Sequence, residues 1–75
     1  IHRVMIMNAL EDLGNATCNE IERSLNLIHQ TASARIAELY KKGKIYDTGK
    51  RRFTENGRTA RVYAVSEQYK RTFNN

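Results

Sequence analysis

Residues 16–45 read A-T-C-N-E-I-E-R-S-L-N-L-I-H-Q-T-A-S-A-R-I-A-E-L-Y-K-K-G-K-I, and two helices and the turn between them can be read from this stretch. Thr17-Cys18-Asn19-Glu20 is a capping box. In that motif a threonine hydroxyl accepts from the third helical amide, while the glutamate reaches back to the threonine amide. The helix that starts here puts Cys18, Ile21 and Leu25 on one face, with Asn19, Glu22 and Arg23 elsewhere. It stops near Leu25, because Asn26 is one of the few non-glycine residues that tolerates the left-handed region. A second helical pattern runs from His29 to Lys42, burying Ala32, Ile36 and Leu39 with Tyr40 on the flank. Gln30, Thr31, Ala34, Arg35 and Glu38 lie opposite, and Gly43 ends the helix after Lys41-Lys42, whose charges suit a helix C-terminus. Position 28, where Ser or Thr usually caps, carries Ile. Three solutions stay open: a cap from the His29 imidazole, a cap from water, or Ile28 packed as a hydrophobic staple.

Upstream, Val4, Ile6, Met7, Leu10 and Leu13 recur at helical spacing within Ile1 to Leu13, and Gly14-Asn15 supply a stop. Downstream the period changes. Ile45, Tyr46, Phe53 and Thr54, then Val62, Tyr63 and Val65, are β-formers in two runs. Between them stands Glu55-Asn56-Gly57-Arg58, and Asn-Gly is the strongest short-range hairpin signal. Ser66 is placed to cap a brief helix through Glu67, Gln68 and Tyr69. The expected fold is α+β: three helices followed by a two-stranded β-hairpin, in one domain over residues 1–75, with 70–75 as a loosely ordered tail.

Seventy-five residues hold one modest core. Cys18 is the only cysteine, so no intrachain disulfide forms, and no paired Cys/His spacing marks a structural zinc site. No cofactor is expected. The apolar run Val4 to Met7 is far short of the roughly 20 residues of a membrane span, and no secretory signal pattern is present, so a cytoplasmic location is expected. The first residue is Ile1 rather than Met, which leaves room for this being one domain of a longer protein.

The net charge of +5 is unevenly distributed. Residues 1–40 carry three basic side chains against five acidic ones. Residues 41–61 carry eight basic ones, Lys41, Lys42, Lys44, Lys50, Arg51, Arg52, Arg58 and Arg61, against Asp47 and Glu55. Such a chain has an oriented field that favours a polyanion at one face.

Helix, capped short helix, Asn-centred turn, longer helix, Gly and basic hairpin together resemble the winged helix-turn-helix superfamily, in particular small prokaryotic or phage DNA-binding domains. The resemblance covers about residues 3–65 and is most specific over 16–45. It implies double-stranded DNA binding, with the second helix of the motif in the major groove and the wing on phosphates or a minor groove. Carried onto this chain, His29, Gln30, Thr31, Ser33, Ala34 and Arg35 fall on or near the groove-facing part of the third helix. Gln30 has the amide geometry for adenine, Arg35 suits guanine or a phosphate, and Thr31 joins the free amides of the helix start. Asn19 would present its amide to the DNA backbone. Lys50, Arg51, Arg52, Arg58 and Arg61 supply the wing contacts, with Arg58 at the tip.

Cys18 reads as a small core residue, and Tyr40, Tyr46 and Tyr63 as core-edge or strand-pairing aromatics rather than a stacking platform. Glu11, Asp12, Glu20, Glu22 and Glu38 lie on exposed faces or caps rather than converging, so catalysis is not expected. The implied role is transcriptional regulation. A DNA-targeting module of a replication or recombination protein and a protein-binding winged helix are the alternatives, with RNA as a further ligand. The apolar surplus of the first helix, Ile1, Val4 and Met5, would suit a homodimer.

Overall fold

The hydroxyl of Thr17 accepts from the Glu20 amide at 3.2 Å, and the Glu20 carboxylate accepts from the Thr17 amide at 3.1 Å, so the capping box forms as the sequence predicts. The computed structural model describes residues 2–54 and 57–69. Three helices, α1 (His2–Leu13), α2 (Cys18–Leu25) and α3 (His29–Lys41), precede two strands, β1 (Ile45–Phe53) and β2 (Thr59–Val65), and a 3-10 turn, Glu67–Tyr69. This is the α+β layout of a winged helix. Asn56 of the expected Asn-Gly tip and the expected tail at 70–75 lie outside the described residues, as does Ile1.

Both helices of the motif end in the same way. Asn26 adopts φ 56, ψ 46; its N–H donates to the Arg23 carbonyl at 3.4 Å, and that of Leu27 donates to Glu22 at 2.9 Å. Gly43 and Lys44 repeat the pattern on Tyr40 and Leu39, each at 3.0 Å. In both cases a left-handed residue lets two carbonyls of the last turn find partners. α3 therefore ends at Lys41, one residue before the sequence pattern suggested.

The start of α3 has no side-chain cap. Ile28 is 66% exposed, so it is not buried as a staple, and the His29 ring is engaged by Glu22. The carbonyl of Ile28 still accepts from Ala32 at 3.1 Å.

Ile6, Ala9 and Leu10 of α1, Ala16, Ile21 of α2, Ile36 and Leu39 of α3, and Ile45 and Val65 of the strands form one buried cluster. Cys18 packs against its edge, as the helical spacing suggested. Among the described residues, no helix is long and apolar enough to cross a membrane.

The two β-forming runs pair with each other as one antiparallel hairpin, β1 against β2. Ile45, Tyr46 and Asp47 face Val65, Ala64 and Tyr63; pairing resumes with Arg51, Arg52 and Phe53 opposite Arg61, Ala60 and Thr59. Between Asp47 and Arg51, β1 advances four residues while β2 advances two. An even excess keeps the alternation of faces intact, where a one-residue slip would invert it. Gly49, at φ +86, makes this bulge possible; its N–H donates to Asp47 Oδ1 at 2.9 Å, and the Thr48 hydroxyl donates to the Val62 carbonyl at 2.9 Å.

The other edge of β2 is also paired. Ala16 and Tyr63 exchange two backbone hydrogen bonds, 2.9 Å and 2.8 Å. Ser66 departs from its expected role: its hydroxyl donates to the Gly43 carbonyl at 2.7 Å, joining the chain after β2 to the end of α3 instead of capping the last turn.

Thr17→Ala is expected to lower unfolding stability by about 1 kcal/mol, the typical worth of a polar N-cap, and Thr17→Ser to recover most of it. Urea denaturation followed by circular dichroism measures both; equal stability in all three proteins would remove the capping box from the account.

Candidate nucleic-acid interface

α3 buries Ala32, Ile36 and Leu39, and the helical period then turns Gln30, Ala34, Ala37 and Lys41 outward, with Ser33 beside them. All five are exposed. Ala37 and Lys41, which are not among the site residues expected from the sequence, continue the line of Gln30 and Ala34 at helical spacing. The three short side chains in the middle of this stripe would let a partner approach the helix backbone closely. Thr31 is half-buried on its edge.

Arg35 and Glu38 lie on the flank facing α1. Glu38 takes Arg3 Nη1 at 2.7 Å on one oxygen and Arg35 Nη2 at 3.3 Å on the other. The Arg3 hydrogen bond is the main reason its carboxyl sits below the ordinary value, with the charges of Arg35, Arg3 and Lys42 adding to it against a desolvation effect. Arg35 Nε is buried with no hydrogen-bond partner among the described residues. Arg35 is thus tied into the α1–α3 contact, away from the line of Gln30.

The α3 surface continues onto the wing through two tyrosines. The rings of Tyr40 and Tyr63 meet edge to face, centroids 6.0 Å apart, so both serve as core-edge aromatics. Strand register places Asp47, Arg51 and Arg61 on the same sheet face as Tyr63. Asp47 sits between the two arginines, 3.4 Å from Arg51 Nη1 and 3.6 Å from Arg61 Nε. Each guanidinium keeps further donors, and both residues are exposed. Lys50, in the bulge, and Arg58, whose carbonyl accepts from Thr54 at 2.7 Å, are exposed as well. Among the described residues, neither forms an ion pair.

Arg52 behaves differently from its neighbours in the basic triplet. It points to the opposite sheet face and crosses β2 to the α1–α2 connection. Its Nη1 donates to both oxygens of Glu20, at 2.5 Å and 2.7 Å, and its Nη2 donates to Asn15 Oδ1 at 2.6 Å. This fork braces the wing against the N-terminus of α2. Burial alone would raise the Glu20 carboxyl, but the Arg52 hydrogen bond, the Thr17 amide and the charges of Arg52 and Arg23 outweigh it and hold it below its ordinary value. Asn19 is half-buried beside this brace, in a small cleft with Thr17, Arg23 and Phe53.

His29 leads α3, and its Nδ1 lies 2.6 Å from Glu22 Oε2. The same oxygen accepts from Cys18 Sγ at 3.3 Å. Burial, with the hydrogen bond to Glu22 and its charge, pushes the Cys18 thiol up to about 12.

No family model matches the chain, and no curated protein matches it in sequence.

The Glu20 brace has a pH signature. Its carboxyl is depressed in the folded state, so its contribution is complete above the ordinary value of 4.5 and is lost as pH falls through the lower folded value. The stability difference between wild type and Glu20→Gln is therefore expected to be level near neutrality and to shrink in acid. A difference that stays constant down to acid unfolding would show that the charged pair contributes nothing.

Proposed function

We propose that this domain binds double-stranded DNA, with the outer stripe of α3 in the major groove and the wing on flanking phosphates or the minor groove. The observation that carries the reading is one continuous surface. Gln30, Ser33, Ala34, Ala37 and Lys41 on α3 pass through Tyr40 and Tyr63 to Arg51 and Arg61 on the wing. B-DNA's major groove, about 12 Å wide, admits a helix, and a stripe of alanine and serine lets its backbone approach the bases. The uncapped start of α3 adds free amides, and the Thr31 hydroxyl lies near them, the combination that binds phosphate at helix N-termini.

The side chains then divide by role. Gln30 is the base reader, suited to adenine N6 and N7. Lys41, Lys50, Arg51, Arg58 and Arg61 meet phosphates or a narrow minor groove. Arg52 and Arg35 position the wing and α3 rather than touching DNA. Asn19 and His29 flank the contact surface.

Transcriptional regulation is the role favoured within this reading. Val4 is 63% and Met5 36% exposed on α1, an apolar strip that a second copy could cover, and a two-fold pair of domains suits a palindromic operator. A symmetric site recovered from a random duplex library supports the regulator; a single asymmetric site supports a targeting module of a replication or recombination protein.

Fluorescence anisotropy with duplex DNA across a salt series tests the central proposal. Affinity is expected to fall steeply with salt, and Arg58→Ala to weaken all sequences alike while reducing the log–log slope by about one. Gln30→Ala is expected to relax preference at one base pair by about 1–3 kcal/mol. No duplex binding at low salt would refute DNA binding and leave the protein-binding winged helix as the reading to pursue.

A further inference from the structure

Cys18 and Glu22 stand one turn apart on α2, and the Asn26-Leu27-Ile28 turn brings His29, the first residue of α3, back over them. Cys18 Sγ, Glu22 Oε2 and His29 Nδ1 all lie within 4.8 Å of one another, with Sγ to Oε2 at 3.3 Å and Nδ1 to Oε2 at 2.6 Å. Three different donor types converge on one point at the joint between the two helices of the motif.

We propose that this cluster is a binding site for a thiophilic divalent cation of the zinc type, held by Cys18, Glu22 and His29 with water in a fourth position. The donor set argues for that class of ion. Thiolate and imidazole suit Zn2+ and Co2+, whereas Mg2+ and Ca2+ take oxygen ligands. The spacing argues for it too. Zinc bonds of about 2.0–2.3 Å set donors roughly 3.3–3.6 Å apart around a tetrahedral centre. The Sγ to Oε2 distance of 3.3 Å already fits, and the histidine nitrogen, 2.6 Å from Oε2 and within 4.8 Å of Sγ, must draw back from the carboxylate by about 0.7–1.0 Å while staying close to the sulfur.

The His29 side chain is 70% exposed and free to make that shift, while that of Glu22 is only 18% exposed and Cys18 is half-buried against the core. Two donors are thus anchored on α2 and the third closes from the solvent side, where the ion arrives and the fourth position opens. On binding, the Cys18 thiol proton and the proton that Nδ1 shares with Glu22 pass to solvent, freeing the Nδ1 lone pair for the ion; thiolate and carboxylate together balance the two positive charges, and the bound imidazole carries its remaining proton on Nε2. The bound ion cross-links α2 to α3 and stabilises the folded state by mass action.

The test uses the whole chain, stripped with chelator and titrated with cobalt chloride near neutral pH. The expected result is one Co2+ per chain, a thiolate-to-cobalt charge-transfer band in the near ultraviolet, strong visible ligand-field bands, displacement by one equivalent of Zn2+ and no competition from Mg2+. Cys18→Ser should abolish the charge-transfer band. His29→Ala should weaken Co2+ binding at least tenfold, as should Glu22→Gln, while His2→Ala should leave it unchanged. His29→Ala alters an exposed side chain, so it remains informative if Cys18→Ser fails to fold. Absence of the charge-transfer band at millimolar Co2+ would overturn the proposal. So would a band whose affinity is the same in His29→Ala and Glu22→Gln as in wild type, since Cys18 alone would then be the ligand.

Discussion

Two backbone hydrogen bonds between Ala16 and Tyr63 join the helical half of the chain to the wing. A two-stranded hairpin on its own is marginal in water, and here the loop between α1 and α2 occupies its second edge. Several other features depend on that contact. It seats Ala16 in the core and sets Thr17 at the start of α2. It brings Asn15 and Glu20 within reach of Arg52, and it fixes Tyr63 where its ring meets Tyr40 of α3. The angle between the wing and α3, on which the proposed binding surface depends, is thus held by backbone pairing on one side of β2, by an ion pair on one sheet face and by an aromatic contact on the other.

The basic segment does two kinds of work. Arg52 is used internally, and its chelated geometry makes it a brace, although a partly exposed pair of this kind is worth at most about 1 kcal/mol. Its value lies in orientation: it restrains an extended hairpin at a second point along its length. Arg51 and Arg61 share Asp47, which aligns them on the face toward α3 and leaves donors to spare. Without the two-residue bulge at Thr48 and Gly49 this alignment would be drawn differently, because Asp47 bonds the bulge backbone as well as flanking both arginines. The carboxylates at positions 20, 38 and 47 sort the cations into those that hold the fold and those left to the surface.

The joint between α2 and α3 combines tight backbone closure with an open polar cluster. Asn26 completes the end of α2 without glycine, and Ile28 offers no cap to α3. In place of a cap, the side chain that follows reaches back to α2, where Glu22 already holds Cys18. Side-chain chemistry across the turn therefore links helices whose backbone connection is only three residues long.

Residues close in the chain determined the elements. The box at Thr17–Glu20, the left-handed stop at Asn26, the Gly43 terminus and the alternation of helical and strand periods act over five residues or fewer, so the helix–helix–helix–hairpin order was legible in the sequence. So was the outward position of Gln30 and Ala34, since the buried face of α3 follows from period alone. Tertiary structure decided what the charged side chains do, because their partners are distant in sequence: Arg52 meets Glu20 and Asn15 across 32 and 37 positions, and Arg3 meets Glu38 across 35. Local patterns do not encode those distances, nor the bulge that brings Arg51 directly opposite Arg61. Cys18, Glu22 and His29 follow no metal-binding spacing in the sequence; they become neighbours only because two helices are folded back on each other through a left-handed asparagine.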